Sequence, residues 1–288
     1  MKNVNIAMNR KVRTGTVLLS TLLILMCLPL SADANPKGGT VAAGSAEIVQ
    51  ESPARTTVIQ STDKAIINWQ SFSIDTGERT HFQQPSSEAI ILNRVTGADP
   101  SAILGQLTAN GRVVLVNPNG IFFGKESKID VASIIASTHD IRNDDFMAGR
   151  LRFTLPGKPG ARIVNQGTIT VKEGGLAALV APSVVNSGVI AARLGKVVLA
   201  SGNSVTIDLY GDDLILFETD SKIMEQLNDA DGQPLSTLIE QSGSIEADSG
   251  WVLLTADAAK GVVDNVINMT GIIRARTVDQ QEGRIVLN

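Results

Sequence analysis

The chain has 288 residues, with 25 Lys and Arg against 29 Asp and Glu, one cysteine, and only 3% aromatic residues. The lack of a basic excess argues against a protein that binds nucleic acid or anionic membrane surfaces. Because the only cysteine, Cys27, lies near the N-terminus, most of the chain must be stabilised by packing and backbone pairing rather than by disulfides.

The first 34 residues have the three parts of a secretory signal peptide. Lys2 and three further basic residues precede an apolar run over Val17–Leu30, and Ala32 and Ala34 form a small-residue A-x-A cleavage site. The apolar run is shorter than the roughly 20 residues that a membrane-spanning helix needs. The sequence therefore predicts export through the Sec translocon and cleavage after Ala34.

Beyond Ala34 the composition favours an elongated all-β body. Residues 1–34 hold four of the basic residues and one of the acidic ones, so the remainder carries 21 positive and 28 negative charges, a net of −7. The one helical pattern is Ser221–Leu227. Short apolar stretches bounded by Gly, Asn, Asp or Pro predict strands at Thr57–Gln60, Ala65–Ile67, Ala89–Leu92, Arg112–Val116, Ala161–Val164, Lys196–Ala200 and Trp251–Thr255.

A repeated unit, Asn/Gln-x-Gly-x-Ile, begins at Asn165, Asn186 and Gln241, and a looser copy with one extra residue runs over 268–273. Each copy is followed by a glycine and an aliphatic strand. A period near twenty residues predicts a solenoid of parallel β-coils stacked about 4.8 Å apart. The Asn and Gly at its corners are expected to adopt the left-handed backbone of tight turns.

A β-sandwich is the alternative fold, but it would show alternating polar and apolar positions joined by two-residue turns. The regular copies favour the solenoid. Residues 35–155 are less repetitive and are predicted to form a cap and the first coils, since a solenoid end exposes unpaired backbone. Residues 156–288 are predicted to form repeat coils with an insertion near 212–240.

The N-terminal section carries three motifs in a fixed order, which are 67–72 (INWQSF), 93–97 (NRVTG) and 115–124 (LVNPNGIFFG). A fourth stretch, Ile134–Thr138, is followed by Asp144-Asp145-Phe146. In these motifs and in the downstream repeats, the chain resembles the two-partner secretion domain of filamentous haemagglutinin-type exoproteins. The resemblance covers essentially the whole chain after residue 34.

This resemblance implies a right-handed, single-stranded parallel β-helix with an N-terminal cap. It also implies secretion, unfolded, through an outer-membrane β-barrel transporter whose periplasmic recognition modules bind this domain. The larger members are adhesins, haemagglutinins or contact-dependent toxins of Gram-negative bacteria, which implies the cell surface as destination and host glycans or proteins as further partners. Such proteins usually continue for many more coils, so we expect a short, interrupted or truncated member, or the partner of separately encoded segments.

The candidate residues for transporter recognition, or for a folding nucleus, come from the second and third motifs. They are Asn93, Arg94, Val95, Thr96, Gly97, Asn117, Pro118, Asn119, Gly120 and Ile121. Asn117–Gly120 also fits a plain turn, in which Pro118 fixes φ while Asn119 and Gly120 take left-handed geometry. Arg94 is a candidate to pair with an acidic groove of the transporter. Trp69 and Phe72 are predicted to pack in the core or cap.

No pattern points to catalysis, a cofactor or a metal. His81 and His139 are the only histidines and lack the spacing of a zinc site. Asp144–Asp145 and Asp212–Asp213 fit solvated turns better than calcium ligands, because the calcium-binding repeat and loop patterns are missing. We predict a non-enzymatic protein. A β-helix polysaccharide lyase or hydrolase, and a structural matrix or filament protein, are the alternatives.

Overall fold

The computed structural model describes residues 35–202, 204–207, 234–256, 265–276 and 284–287, with the isolated residues 223, 227, 228, 232, 258 and 263. The predicted signal peptide with its cleavage site at Ala34 lies outside these residues. So do Asp212–Asp213, most of the predicted helix at Ser221–Leu227 and most of the predicted insertion near 212–240. No helix in the described part of the chain is long and apolar enough to span a membrane.

Sheet 1 contains nine strands in the order β1-β4-β6-β9-β12-β17-β20-β24-β27. The strands are β1 Thr40–Ala43, β4 Lys64–Trp69, β6 Ile90–Val95, β9 Arg112–Val116, β12 Ser133–Ser137, β17 Leu176–Val180, β20 Lys196–Ser201, β24 Trp251–Ala256 and β27 Arg284–Leu287. All neighbours in this sheet are parallel except β1, which runs antiparallel to β4.

Sheets 2 and 3 complete the coils. Sheet 2 consists of β7 Ser101–Ile103, β10 Ile121–Phe123, β15 Arg162–Asn165, β18 Ser183–Asn186, β22 Thr237–Gln241 and β25 Asn265–Met269. Sheet 3 consists of β2 Ala46–Ser52, β3 Arg55–Gln60, β5 Arg79–Gln83, β8 Gln106–Ala109, β11 Lys128–Val131, β16 Thr168–Val171, β19 Val189–Ala191, β23 Ser244–Glu246 and β26 Ile272–Arg274.

The chain visits the three sheets in turn, and a complete coil contributes one strand to each sheet, as in β9, β10 and β11. The first coil, from β4 to β5, meets sheet 2 only through a bridge between Ile74 and Ile103. Every strand then pairs in parallel with the equivalent strand of the next coil. The isoleucines of the repeats stack in register across four coils, Ile169 on Ile190, Ile190 on Ile245, and Ile245 on Ile273. The predicted all-β parallel β-helix is confirmed.

The N-terminal end is closed by antiparallel strands. β1 pairs with β4, and β2 folds back on β3 as a hairpin. A small fourth sheet lies beside the solenoid and contains β13 Asp140–Ile141, β14 Leu151–Leu155 and β21 Val205–Ile207, all antiparallel. The helix α1, Asn143–Met147, links β13 to β14. This helix was not predicted, because five residues are too few to show helical periodicity.

Two apolar cores flank sheet 1. Inside the coils, Trp69, Phe72, Phe82 and Phe123 are fully buried among stacked aliphatic residues. On the outer face of sheet 1, a second cluster contains Phe146 of α1, Phe153 of β14 and outward-facing aliphatic residues of the sheet. Since sheet 1 is covered on both faces, its strands are continuous apolar runs, as expected for buried parallel strands.

The corner between sheets 2 and 3 carries the repeated unit. Asn165 Nδ2 donates to Asn186 Oδ1 at 2.8 Å, and Asn186 Nδ2 donates to Gln241 Oε1 at 2.7 Å. All three side chains are fully buried. We call this row of Asn165, Asn186 and Gln241 the amide ladder. In the looser copy, Met269 rather than Asn268 takes the ladder register.

The expected role of the repeat glycines is wrong. Gly188 and Gly243 do not have a positive φ. A Cβ on Gly243 would instead clash with the carbonyl oxygen of Gly188, and a Cβ on Gly188 would clash with that of Gly167. These glycines are required because consecutive coils bring their backbones into direct contact at this corner.

Candidate functional site

The three sequence motifs meet at one corner of the solenoid. Their strands β4, β6 and β9 are neighbours in sheet 1, where Asn68 is in register with Arg94 and Arg94 with Val116. Beyond these strands the chain leaves sheet 1 toward sheet 2, so the motif residues of three coils stack on one another. We call residues 67–72, 93–97 and 117–121 together the motif corner.

The first two motifs are joined by a buried tryptophan. Trp69 Nε1–H donates to Asn93 Oδ1 at 3.0 Å, and both side chains are at most 1% exposed. The Trp69 ring packs edge-on against Phe72 with ring centroids 5.6 Å apart. Thr96 Oγ1 donates to the Trp69 carbonyl at 2.9 Å. The aromatic pair is therefore core packing, and Asn93 satisfies the one polar atom of the indole.

The third motif forms a tight turn held by Asn117. Gly120 N–H donates to Asn117 O at 3.1 Å, and Asn119 N–H donates to Asn117 Oδ1 at 2.9 Å. Asn117 Nδ2 donates to Ser101 Oγ at 3.0 Å. Gly120 has φ +118°, as predicted, but Asn119 does not have the left-handed backbone expected from the sequence.

The second and third motifs are bonded directly to each other and to a later segment. Asn119 Nδ2 donates to the Gly97 carbonyl at 2.9 Å. A segment after β14 crosses the same turn, where Lys158 N–H donates to Pro118 O at 2.8 Å and Lys158 Nζ lies 3.4 Å from Ala98 O. The loops of both motifs are thus hydrogen-bonded to each other and to the segment that contains Lys158.

Arg94 is held entirely by contacts within the protein. Nε donates to Asp140 Oδ1 at 2.8 Å, Nη1 to Asn143 Oδ1 at 2.8 Å and to Asn68 Oδ1 at 3.2 Å, and Nη2 to the Ile141 carbonyl at 2.6 Å. Its side chain is only 13% exposed. The guanidinium therefore joins sheet 1 to β13 and α1 in the folded domain.

The remaining candidate residues are mostly interior. Asn93 and Asn117 are fully buried and Val95 and Ile121 are at most 3% exposed, while Thr96 is exposed. Pro118, Asn119 and Gly97 are partly buried. Sequence reasoning missed Asp140, Asn143 and Lys158, which complete the corner. They are 40 to 60 positions from their partners, and no local pattern marks such distant contacts.

The histidines do not form a site together. His139 is 1% exposed, its Nε2 lies 2.7 Å from the Gly202 carbonyl, and burial lowers its pKa below the ordinary 6.5. His81 lies on sheet 3, beside Thr108. Among the described residues, no group of three or more His, Cys, Asp or Glu is placed to hold a metal ion. Asp144 and Asp145 occupy the first turn of α1, and Asp145 pairs with Arg150 at 2.8 Å.

The fold is a parallel β-helix closed at its N-terminal end by antiparallel strands, with the three motifs side by side at one corner. A protein-family model described as "TPS secretion domain" matches residues 32–288. The chain therefore belongs to the family of secretion domains of two-partner secretion exoproteins. Members of this family are non-enzymatic, are secreted by Gram-negative bacteria, and use an outer-membrane transporter as partner.

The chain is also similar to individual proteins. It is 32% identical over 260 residues to a heme/hemopexin-binding protein of Haemophilus influenzae strain Rd, and 30% identical over 275 residues to a second heme/hemopexin-binding protein of that species. These matches cover 88% and 85% of this chain but 27% of each relative. The solved structure of the HMW1 secretion domain from Haemophilus influenzae matches with a TM-score of 0.67 at 30% identity, covering 86% of this chain and 68% of that one.

Proposed function

We propose that the motif corner is the folding nucleus of this secretion domain, and that the outer-membrane transporter acts on the chain before this corner has closed. The observation that carries the proposal is the convergence of the three motifs on the motif corner, where the side chains of Trp69, Asn93, Arg94, Asn117 and Asn119 are all hydrogen-bonded within the protein. A surface evolved only for docking would keep such groups available to the partner.

The proposed route begins with the Sec translocon and cleavage of residues 1–34 after Ala34. Periplasmic modules of the transporter then bind the unfolded chain, and the coils stack on one another outside the cell. Within the domain, we propose residues 35–155 as cap and first coils and residues 156–288 as repeat coils with an insertion near 212–240. The absence of cysteine after Cys27 supports this route, since no disulfide can lock the chain before it crosses.

The test compares the removal of two partly buried side-chain amides during co-expression with the cognate transporter. Asn119→Ala removes the bond to Gly97, whereas Asn110→Ala removes a comparable pair of bonds to Gln84 at a different corner. We expect Asn119→Ala, and deletion of residues 93–124, to suppress appearance of the protein in the medium. Asn110→Ala should lower stability with little effect on secretion.

Refolding from urea separates a folding nucleus from a direct contact with the transporter. A nucleus requires Asn119→Ala to slow refolding of the purified domain, whereas Asn110→Ala should mainly speed unfolding. If Asn119→Ala suppresses secretion while refolding at the wild-type rate, the corner is a contact surface and the nucleus proposal is wrong.

We propose that the exoprotein to which this domain belongs is part of an adhesin system at the bacterial cell surface. The names of the similar Haemophilus proteins favour a second function, binding of heme or hemopexin by the parent exoprotein. His139 is buried and bonded to Gly202, so we do not assign heme ligation to this domain. Titration of the purified domain with hemin should leave the heme absorption spectrum unchanged, whereas a shifted Soret band would place the activity here.

A further inference from the structure

The cations on sheet 3, and in the turns that follow its strands, form different sets of ion pairs in the early and the late coils. In the late coils each of three arginines is paired with a carboxylate one coil away. The pairs are Arg193–Glu173 at 2.6 Å, Arg274–Glu246 at 3.5 Å and Arg276–Asp248 at 3.1 Å. Arg274 and Glu246 lie on strands of sheet 3, whereas the other two pairs lie in the turns that follow its strands. In each pair the positive charge is balanced by a carboxylate.

In the early coils the cations are left without carboxylate partners. Arg55 of β3 is in direct register with Arg79 of β5, and the same column continues through Gln106 to Lys128. These three cations are exposed, and none forms an ion pair with a described residue. Like charges opposite each other on neighbouring strands are destabilising. An anion bound between Arg55 and Arg79 would remove that repulsion.

The two arginines line a shallow cleft of about 120 Å³ with His81, Thr56, Thr57 and Glu51. Thr108 Oγ1 lies 3.3 Å from Arg79 Nε and 2.8 Å from His81 Nδ1, which orients both side chains. Burial, with the nearby Arg79 charge, lowers the pKa of His81, so the ring supplies a hydrogen bond rather than a charge. Glu51 is the one carboxylate in the cleft, and it accepts a hydrogen bond from Thr57 Oγ1 at 2.6 Å.

A second groove of about 330 Å³ begins at Thr108 and continues along the same face. It is lined by Gln106, Thr108, Lys128, Ile129, Asp130, Thr168 and Thr170. Hydroxyl, amide and carboxylate groups offer both donors and acceptors, as multiple sugar hydroxyls require. From β3 to β16 there are four inter-strand steps, so the two depressions together span about 19 Å.

We propose that this face, formed by β3, β5, β8, β11 and β16, binds a linear acidic polysaccharide. A carboxylate or sulfate group of the polymer would lie between Arg55 and Arg79, where guanidinium groups give charge-assisted hydrogen bonds. Neighbouring sugars would follow the groove toward Thr170. The site needs five strands side by side and so exists only in the folded domain. Because the proposed function places folding outside the cell, the ligand is an extracellular one.

The experiment measures binding of the purified, folded domain to alginate, dextran sulfate and neutral dextran of matched length. We expect salt-sensitive binding to an acidic polymer and none to neutral dextran. Arg55→Gln and Arg79→Gln should each weaken binding about tenfold or more, the loss of one charge-assisted contact. Arg274→Gln makes the same charge change on the same sheet at a paired position, and should change affinity less than about twofold.

One further variant and a comparison of the two acidic polymers test the proposal more sharply. Glu51→Gln should tighten binding, because it removes the only carboxylate of the cleft, and preference for alginate or dextran sulfate identifies carboxylate or sulfate as the anchor. Equal weakening by Arg274→Gln, binding of neutral dextran, or no binding at low salt would each overturn the proposal. So would Arg79-dependent binding of the transporter's periplasmic region instead of a polymer. Secretion of Arg79→Gln should be normal, which separates this test from that of the motif corner.

Discussion

The motif corner and the amide ladder solve the same problem, a buried turn between stacked coils, in opposite ways. In the ladder, Asn165, Asn186 and Gln241 occupy equivalent positions, and their amides bond to one another from coil to coil. Their other side-chain bonds are local, from Gly167 N–H to Asn165 Oδ1 and from Gln241 Nε2 to the Gly243 carbonyl. In the motif corner, unlike residues bond across coils and reach the added sheet, as Arg94 does with Asp140. We therefore expect stability to be nearly additive along the ladder, and the segments joined at the motif corner to unfold as one cooperative unit.

The largest expected effect is loss of the Arg94 guanidinium. Arg94→Met removes the Arg94 donors from Asp140, Asn143 and the Ile141 carbonyl and leaves the Asp140 carboxylate with only the Ile141 N–H. Because the ion pair is largely buried, we expect the free energy of unfolding in urea to fall by about 3–4 kcal/mol. Arg94→Lys should restore less than half of it, because an ammonium cannot make the same planar set of bonds.

The exposed pair of Arg193 and Glu173, with side chains 62% and 60% exposed, supplies the matched control. Arg193→Met should cost under about 0.5 kcal/mol. Similar losses of unfolding free energy for Arg94→Met and Arg193→Met would show that the buried ion pair at the motif corner stabilises the fold no more than an exposed pair.

A smaller effect is expected from adding one methyl group to a repeat corner. Gly243→Ala places a Cβ against the Gly188 carbonyl, and because both atoms are held by stacked backbones we expect a loss of about 2–3 kcal/mol in urea unfolding. Ser242→Ala changes the exposed neighbouring position and should be nearly neutral. A tolerated Gly243→Ala would show that the coils can separate locally at little cost.

Deleting the middle member of the ladder should cost about 2 kcal/mol. Asn186→Ala removes the acceptor of Asn165 Nδ2 and the donor to Gln241 Oε1, and both of these atoms belong to buried side chains. Amide hydrogen exchange should rise only in the coils of β15, β18 and β22. Increased exchange spreading to β6 and β9 would mean that the repeats are coupled to the motif corner.

The smallest effect concerns pH. Because burial lowers the pKa of His139 in the folded protein, the unfolded chain binds the proton more tightly, and stability is lost as pH falls below 6.5. The slope from this one group is at most about 1.4 kcal/mol per pH unit. Urea unfolding at pH 7.5 and 5.5 should show a smaller decrease for His139→Gln than for wild type. An unchanged decrease would assign the pH dependence to other groups.

Much of the fold could be predicted because the repeats are local. The copies at Asn165 and Asn186 mark the coils directly, and the apolar runs that became sheet 1 strands are visible as continuous stretches. The reason for the glycines could not be predicted, because their neighbours belong to another coil. The contacts of Arg94 with Asp140 and Asn143 could not be predicted either, because those residues lie 46 and 49 positions away in the sequence.

By itself the sequence determined that the chain is an all-β parallel solenoid with a distinctive N-terminal section, since strand length, turn residues and repeat period are properties of neighbouring residues. Only the tertiary structure decided that three motifs close one corner and that a second core covers the outer face of sheet 1. It also decided that Arg55 and Arg79 of sheet 3 form no ion pair with a described residue, whereas Arg274 pairs with Glu246. These outcomes depend on which residues of different coils come into contact when the coils stack. The number of residues between them in the sequence does not reveal that register.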